Sequence, residues 1–235
     1  MIEFRDVSYT TEDGNDIIRN VSFKLSERFV VITGPNGSGK STIARLIAGI
    51  IKPTSGRIFI DDKDITDLSV TERAAEGISY GFQQPVRFKG LTVKDLLSLA
   101  SGKQLTTIEA CSLLAKVGLC ARDYVGREAN ASLSGGELKR IEIAMIMARN
   151  TRFSVFDEPE AGIDLWSFNN LINVFKELHE STNGTIIIIS HQERILKLAD
   201  RIIVVAGGRV TADGEGAELY KEIQTPGCIY YRKGE

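Results

Sequence analysis

The sequence predicts an α/β fold with a mostly parallel sheet, an N-terminal antiparallel β portion and an inserted helical portion. Strand-like and helix-like segments alternate in the C-terminal part of the chain, and this order produces parallel strands joined by helices. Several of the strands are continuous apolar runs, which suit strands buried on both faces. A middle stretch without strong strand signals predicts the helical insertion.

The N-terminal part of the chain contains the predicted antiparallel strands. Residues 2–9 alternate between apolar and polar side chains, residues 11–15 have the composition of a turn, and residues 21–25 resume the strand pattern. Such alternation is typical of half-buried strands. Residues 29–33 are a short apolar run and predict a strand buried on both faces. Residues 57–62 follow a turn and predict a second hairpin-like unit.

The rest of the chain predicts the helical insertion and then alternating strands and helices. Residues 90–132 are expected to be helical. We expect one domain over residues 1–235, whose core combines residues 1–89 and 133–235. The other expected elements are a helix over 41–50, a helix from near 136, a strand over 153–157, a helix over 165–180, a strand over 185–190, a helix over 192–199 and a strand over 201–205.

The composition limits the classes of function. The 29 basic and 31 acidic residues give a net charge of −2, so the chain lacks the basic excess that binds nucleic acid. No apolar run approaches the roughly 20 residues of a membrane-spanning helix, and no signal peptide is recognisable. Direct membrane insertion is therefore not expected. Cys111, Cys120 and Cys228 show no metal-binding spacing, which is typical of a reducing cytosol and predicts a cytoplasmic protein.

A glycine-rich segment follows the apolar run 29–33. It fits the pattern G-x-x-x-x-G-K-[ST], whose glycines let backbone N–H groups point at phosphate oxygens while the next helix directs its positive end there. Lys40 is expected to reach the β- and γ-phosphates and Ser41 to bind Mg²⁺. The alternative is a glycine-rich turn that precedes a lysine by chance, and the strand–loop–helix context disfavours it. The segment consists of Gly34, Pro35, Asn36, Gly37, Ser38, Gly39, Lys40, Ser41 and Thr42.

Two predicted strands end in side chains that suit phosphate chemistry. Asp157 ends the strand 153–157 and Glu158 follows it, at the sheet edge where open α/β folds bind ligands. Asp157 is expected to hold Mg²⁺, and Glu158 to act as general base for an attacking water. His191 follows the strand 185–190 and is expected at the same edge. Taken alone, such an acid pair is more often a solvated strand end and a lone histidine is more often structural.

A second glycine motif precedes the helix predicted from near residue 136. Ser134 is expected to cap that helix, and the N–H groups of Gly135 and Gly136 are available to an anion. Without further knowledge, these residues predict simply a capped helix. A second phosphate site would be unexplained, because one chain would hardly need two such sites for one nucleotide.

With both motifs in place, the sequence resembles the nucleotide-binding domains of ABC ATPases over nearly its whole length. The resemblance implies a P-loop NTPase core, an antiparallel β subdomain and a helical subdomain. It also implies ATP and Mg²⁺ as ligands and hydrolysis of ATP to ADP and phosphate. The matching motifs are the adenine-stacking aromatic residue (Tyr9), the Walker A loop (34–42), the Q-loop glutamine (Gln83), the LSGGQ-type signature (Leu133, Ser134, Gly135, Gly136 and Glu137, the last in place of glutamine), the Walker B aspartate and catalytic glutamate (Asp157 and Glu158), the D-loop (Asp164) and the switch histidine (His191).

The resemblance assigns further roles. Gln83 is expected to join Ser41 and Asp157 at Mg²⁺ and to complete the catalytic site with His191. Gln84 is the rival of Gln83, and the position relative to the flanking phenylalanine and proline favours Gln83.

The resemblance also implies an ATP-dependent homodimer. In this family two domains close head-to-tail around two ATP molecules, so Ser134 and Gly136 would act in trans, with two-fold symmetry. Tyr9 is expected to stack on adenine, with packing in the core as its alternative.

Three segments resemble SufC, the ATPase of the Suf iron–sulfur cluster assembly machinery: residues 82–86, 190–196 and 136–140. This resemblance implies that soluble SufB/SufD-like scaffold proteins dock near residues 84–94. The alternative is a nucleotide-binding subunit of a membrane ABC transporter, peripheral to the membrane and docked on transmembrane permease subunits. Lys139 and Arg140, in the third segment, have a solvated helix face as their alternative interpretation. On sequence alone we favour the SufC-like function.

Overall fold

The computed structural model describes residues 1–84, 86–130, 133–181 and 184–224. Pro85, in the Q-loop segment 82–86, lies outside the described residues, and so does Cys228. The elements of the described part are, in chain order, β1 (Ile2–Thr10), β2 (Asp16–Leu25), β3 (Phe29–Thr33), α1 (Lys40–Ala48), β4 (Ser55–Ile60), β5 (Lys63–Asp64), α2 (Val70–Ala75), β6 (Ile78–Gly81), α3 (Val93–Ser101), α4 (Thr107–Lys116), α5 (Ala121–Tyr124), α6 (Gly135–Arg149), β7 (Phe153–Asp157), α7 (Leu165–Ser181), β8 (Thr185–Ile189), α8 (Glu193–Leu196), β9 (Arg201–Ala206), β10 (Arg209–Glu215) and α9 (Gly216–Ile223).

The described residues form two compact units, and the first combines residues 1–78 with residues 185–224. One of its sheets is antiparallel, in the order β2-β1-β4-β5. β1 buries Phe4 and Val7, and the Phe4 ring stacks on Phe23 of β2 at 4.5 Å between centroids. Phe4 and Val7 are three residues apart, whereas a regular strand directs every second side chain to the same face. The strand corrects the phase with an irregularity at which Asp6 has φ of 50°.

The first unit also contains the predicted parallel strands. β3 lies between β8 and β9 and is parallel to both. Its five residues are buried, as expected for a strand covered on both faces. β10, which the sequence analysis does not predict, pairs antiparallel with β9 at the edge. The helix predicted over residues 192–199 is shorter than expected. After α8 the chain tightens into turns, with the Leu198 N–H bonded to the Ile195 carbonyl and the Ala199 N–H to that of Leu196.

A buried arginine stabilises the end of α1. The Arg73 side chain is inaccessible to solvent. Its guanidinium donates to the carbonyl oxygens of Leu46 and Ile47 in the last turn of α1, and to those of Thr66 and Leu68. Burial lowers the pKa of Arg73 to about 10, so the group remains charged at neutral pH. The arginine therefore provides additional donors to carbonyl groups at the helix end, where backbone N–H partners become few.

The second unit comprises residues 79–184 and contains the helical insertion. β6 neighbours β7, α3 and α4 pack on α6, and α6 packs on α7. The described elements between residues 90 and 130 are helices, as predicted. α3 and α4 each begin at a threonine capping box, which provides partners for N–H groups that the first turn leaves unpaired. Among the described residues, no helix has the length and apolar character needed to cross a bilayer.

Candidate functional site

The glycine-rich segment of the first unit forms a loop between β3 and α1. A Cβ atom on Gly34 would lie 2.0 Å from the carbonyl oxygen of Val205, and φ at this residue is 141°. Gly39 has φ of 102° and would direct a Cβ to within 2.5 Å of the Ile18 side chain. Glycine is therefore required at both positions by space and by backbone conformation. The loop therefore packs tightly against the first unit, and this packing fixes the path of its backbone.

The lysine of this loop is folded back onto the loop backbone. Lys40 is 5% exposed, and its Nζ donates to the carbonyl oxygens of Gly34 at 2.9 Å and Pro35 at 2.7 Å. The Lys40 ammonium group would bind an anion more strongly than it binds these neutral carbonyl groups, because hydrogen bonds between ionised groups are stronger than those to neutral acceptors.

The start of α1 has no side-chain cap. Its N-cap is Gly39 and its first turn contains no acidic residue, whereas α2, α3, α4 and α6 all begin with capping boxes. The buried hydroxyl oxygens of Thr33 and Ser38 have no hydrogen-bond partner within the described part of the chain. The loop therefore combines a positive helix end, a buried cation and unpaired hydroxyl groups, which together fit a phosphate.

Tyr9 lies on the strand next to the end of this loop. It pairs with Ile18 across β1 and β2, and the Ile18 side chain is the group closest to the Cβ position of Gly39. Tyr9 is only half-buried, in contrast to Phe4 of the same strand. Its exposure fits a ring that stacks on a ligand better than it fits core packing. The adenine contact itself stays a prediction.

His191 leaves the sheet at the same edge as the loop. The Ser190 N–H donates to the Ile32 carbonyl at 3.2 Å, which aligns the end of β8 with the end of β3. The Ser190 hydroxyl accepts the Gln192 N–H at 3.0 Å and turns the chain after the strand. Because β3 and β8 are parallel, His191 and Gly34 both follow carboxyl ends of strands, as predicted. His191 is exposed.

In the second unit, Asp157 is buried at the end of β7, with 1% exposure. The hydroxyl of Tyr80 on β6 donates to its Oδ2 at 2.9 Å. The Tyr80 ring packs edge-on against Phe82, with centroids 5.0 Å apart. Tyr80 orients the carboxylate by this bond, and the sequence analysis missed it. The available signal was a tyrosine directly before the Q-loop at the end of a short β-rich segment.

The structure brings Gln83 and Glu158 together. The Gln83 Nε2 donates to Oε2 of Glu158 at 2.7 Å, which favours Gln83 over its rival Gln84. Glu158 has φ of 46°, in the left-handed region that costs a side-chain-bearing residue about 1–2 kcal/mol. Such backbone strain concentrates at functional sites. The catalytic roles of Gln83 and Glu158 stay predictions.

The signature motif starts α6, and Ser134 caps this helix, as predicted. The Ser134 hydroxyl accepts the Glu137 N–H at 3.3 Å, and the Glu137 carboxylate accepts the Ser134 N–H at 2.7 Å. The Tyr124 hydroxyl also donates to Glu137, which holds the pKa of Glu137 below its usual value. Among the described residues, a Cβ on Gly135 would meet nothing within 4 Å, and one on Gly136 would meet one carbonyl oxygen, at 3.9 Å. The helix end is thus open, and Glu137 is committed to the cap.

The D-loop residue Asp164 is exposed directly before α7. Its carbonyl accepts the Phe168 N–H at 2.8 Å, which fixes the start of that helix. The Gly162 carbonyl oxygen lies 3.9 Å from the Cβ position of Gly136, so the D-loop and the signature of one chain are close together. The D-loop assignment of Asp164 stays a prediction.

Lys139 is buried, so the solvated-face interpretation is wrong for this residue. Its side chain is 2% exposed, and its Nζ donates to the carbonyl oxygens of Phe82 and Gln83. Glu142 lies one helical turn further along α6, at 3.4 Å from the Nζ. Arg140 is half-buried and bonds backbone carbonyl groups. The Lys139 charge is used inside the protein because the Q-loop backbone lies on this face of α6, which the linear sequence does not reveal.

An apolar cavity of about 370 Å³ lies beside the Q-loop, in the region where the sequence predicts partner docking. Phe82 is 44% exposed there, Val86 45% and Leu99 68%. Clustered exposed apolar side chains mark interaction surfaces. We call this cavity the docking groove. Its apolar lining includes Phe82, Val86, Leu91, Leu99, Met145 and Ile146.

The residues expected at Mg²⁺, namely Ser41, Gln83 and Asp157, can supply oxygen atoms from a hydroxyl, an amide and a carboxylate. Within the described ranges, no group of three or more histidine, cysteine, aspartate or glutamate side chains is arranged to hold a metal ion. Mg²⁺ is typically bound by one or two carboxylates together with substrate phosphates. The donor set therefore fits an ion that arrives with a nucleotide.

The chain is similar to ATP-binding proteins of one family. The family model described as ABC transporter matches residues 18–161. An uncharacterized ABC transporter ATP-binding protein of Methanocaldococcus jannaschii is 36% identical over 219 residues, which are 88% of this chain and 87% of that protein. The energy-coupling factor transporter ATP-binding protein EcfA2 of Clostridioides difficile is 36% identical over 210 residues, covering 86% of this chain and 73% of that protein.

A solved structure has a similar fold. It is the dimeric structure of a post-hydrolysis state of an ATP-binding cassette bound to ADP and inorganic phosphate. Its TM-score to this chain is 0.80, with 27% sequence identity over 92% of this chain and 98% of the other.

Proposed function

This chain belongs to the ABC transporter ATP-binding family, and we propose that it is the nucleotide-binding subunit of a membrane ABC transporter. The proposal adopts the transporter alternative of the sequence analysis in place of the SufC-like function, because the relatives reported above are named as transporter ATP-binding proteins. The observation that carries the ATPase part is the phosphate loop, in which a buried lysine lies beside an uncapped helix start.

The proposed ATP site uses the loop residues 34–42 for the phosphates and Tyr9 for the adenine ring. Lys40 exchanges its bonds to the Gly34 and Pro35 carbonyl groups for bonds to phosphate oxygens. This exchange is favourable because a cation bonds an anion more strongly than a neutral carbonyl group. The exposed half of Tyr9 provides the surface for stacking.

Hydrolysis in this proposal depends on Glu158, Gln83 and His191. Glu158 orients a water in line with the γ-phosphate and accepts its proton. Gln83, bonded to Glu158 in this structure, and His191 complete the site. Mg²⁺, held by Ser41, Asp157 and Gln83, would neutralise charge on the phosphates.

Dimerisation completes the proposed mechanism. The signature residues Ser134, Gly135 and Gly136 would contact the γ-phosphate bound by the other copy, using the open start of α6 as an anion site. Asp164 would contact the other copy. ATP binding would then close a two-fold dimer and hydrolysis would reopen it. The dimeric cassette reported above supports this assembly.

The partner in this proposal is a transmembrane permease subunit that docks in the docking groove. A largely apolar groove suits an apolar segment presented by a partner. The chain would then lie at the membrane surface through its partner. Opening and closing of the dimer would move the docked segment.

Affinity purification of the Glu158→Gln protein from its native cytosol and membranes, in ATP and Mg²⁺, tests the partner. We expect a multi-span membrane protein to co-purify, and the wild-type protein in ADP serves as the matched control. Phosphate release by the wild-type protein tests the activity separately. Absence of ATP hydrolysis both alone and with the partner would contradict the ATPase assignment.

The SufC-like function is the second candidate, favoured by the Q-loop segment 82–86 and the switch segment 190–196. In that case SufB/SufD-like soluble scaffold proteins would bind the docking groove. The same purification distinguishes the two functions. Recovery of a cytosolic scaffold that raises ATP turnover would support cluster assembly and contradict the transporter assignment.

A further inference from the structure

Two side chains of α6 bind the backbone of one Q-loop residue. Lys139 donates to the carbonyl oxygen of Phe82, and Oε1 of Glu142 accepts the N–H of the same residue at 2.9 Å. Lys139 also reaches the Gln83 carbonyl at 3.4 Å. Both backbone polar groups of Phe82 are therefore bonded to charged side chains one turn apart on the signature helix.

Burial makes this arrangement costly to break. Lys139 is 2% exposed and Glu142 15%, and Nζ and Oε2 lie 3.4 Å apart. Burial lowers the pKa of Lys139 and raises that of Glu142, so solvent does little to stabilise either charge. Removal of one partner leaves a buried charge without compensation. Lys139 and Glu142 stay buried in spite of this cost, and both bond the Phe82 backbone. They therefore restrict the movement of the Q-loop.

The constrained residue lies between two functional features. The Phe82 side chain lines the docking groove and is 44% exposed. The next residue, Gln83, donates to Glu158 at 2.7 Å. A displacement of Phe82 by a docked partner would therefore change the position of Gln83 as well.

We propose that Lys139 and Glu142 are positioning residues, which clamp the Q-loop to the signature helix and so hold Gln83 on Glu158. The inference rests on the proposed ATPase function. The clamp makes the Q-loop and the start of α6 move together. A partner in the docking groove then acts on both ATP sites of the dimer. It acts on the first site through Glu158 of this chain, and on the second site through the signature that this chain contributes in trans.

Amide hydrogen exchange and ATPase kinetics of Lys139→Met test the clamp, with Lys116→Met on the exposed end of α4 as the matched control. We expect exchange at the Phe82 amide of the nucleotide-free protein to accelerate roughly tenfold or more, since the charge-assisted bond to the Phe82 carbonyl is lost and the loop is then held by the Glu142 bond to the N–H with less restraint on its movement. We expect kcat to fall with an unchanged KM for ATP. Lys139→Gln retains a donor for the Phe82 carbonyl, and intermediate values are expected.

Exchange and kcat equal to those of Lys116→Met would overturn the clamp. If Lys139→Met does not fold, the double variant Lys139→Met/Glu142→Gln removes both charges and leaves no unpaired ion. Its Phe82 exchange would then decide the question. The exchange measurement needs no nucleotide, so a wild-type protein without ATPase activity would contradict the proposed function and leave the clamp separately tested.

Discussion

At the scale of single residues, Glu158 combines a strained backbone with the proposed chemistry. Its φ of 46° is costly for a residue with a Cβ, and its carboxylate is held by the Gln83 amide. Strain that persists is compensated by the structure around it. Here the bond to Gln83 fixes the carboxylate where the backbone has turned sharply.

Replacement of this carboxylate by an amide separates binding from hydrolysis. We expect Glu158→Gln to lower kcat for ATP by about 100-fold or more, because the general base is lost, and to keep ATP affinity within about twofold. The ATP-bound dimer should accumulate, which sedimentation measures. Glu177→Gln on the exposed face of α7 is the control. Hydrolysis at the wild-type rate would remove Glu158 from the mechanism.

Arg73 illustrates a residue-scale contribution to stability alone. Its guanidinium satisfies four carbonyl groups in the core of the first unit, a geometry that a lysine cannot reproduce. We expect Arg73→Lys to lower the free energy of unfolding by about 2–3 kcal/mol, measured by urea denaturation. The exposed Arg19→Lys should change it by less than about 0.5 kcal/mol. An unchanged value for Arg73→Lys would show that the carbonyl groups find other partners.

At the scale of elements, the starts of the helices divide into two kinds. α2, α3, α4 and α6 begin with capping boxes, whereas α1, α8 and α9 have no side-chain cap, and α1 alone of these three has a glycine as its N-cap. The proposed function uses two of these starts as phosphate sites, one bare and one capped. At the capped start of α6, the question is whether Ser134 stabilises the helix, binds the ligand or does both.

A pair of serine caps answers this question. Ser134→Ala and Ser69→Ala each remove one hydroxyl that accepts a backbone N–H at 3.3 Å. Both should lower the free energy of unfolding by about 1 kcal/mol. In the Glu158→Gln background, only Ser134→Ala should weaken the ATP-driven dimer, by roughly tenfold. Equal dimerisation in the two variants would restrict Ser134 to the cap.

The sequence predicts the local parts of the fold and the site well, and the reasons are physical. The phosphate loop follows from glycines and a lysine next to each other in the chain, and β3 and β7 follow from short apolar runs with exact ends. β10 was missed because its side chains are largely exposed and its edge pairing contributes no apolar run. The bonds of Tyr80 to Asp157 and of Lys139 to Phe82 join residues 77 and 57 positions apart. Periodicity cannot specify such contacts.

At the scale of the whole molecule, the proposed two-fold dimer distributes each active site over two copies. Lys40 would serve one ATP from one copy, and Gly136 of the other copy would serve the same ATP. Lys40→Ala and Gly136→Asp should each abolish hydrolysis in a homodimer, since every site then lacks one part. Within the part of the chain that the structure describes, a Cβ at Gly136 meets one carbonyl oxygen, at 3.9 Å, so the aspartate should disturb the ligand rather than the fold.

Mixing these two inactive proteins tests the sharing of sites. A mixed dimer contains one site with both defects and one site with none, because the intact loop of one copy faces the intact signature of the other. With random exchange of subunits and independent sites, about a quarter of the wild-type rate should return. Phosphate release against the mixing ratio measures it, and should be maximal at equal amounts. If each chain formed its own complete site, the mixture would stay inactive at every ratio, because both chains carry a defect.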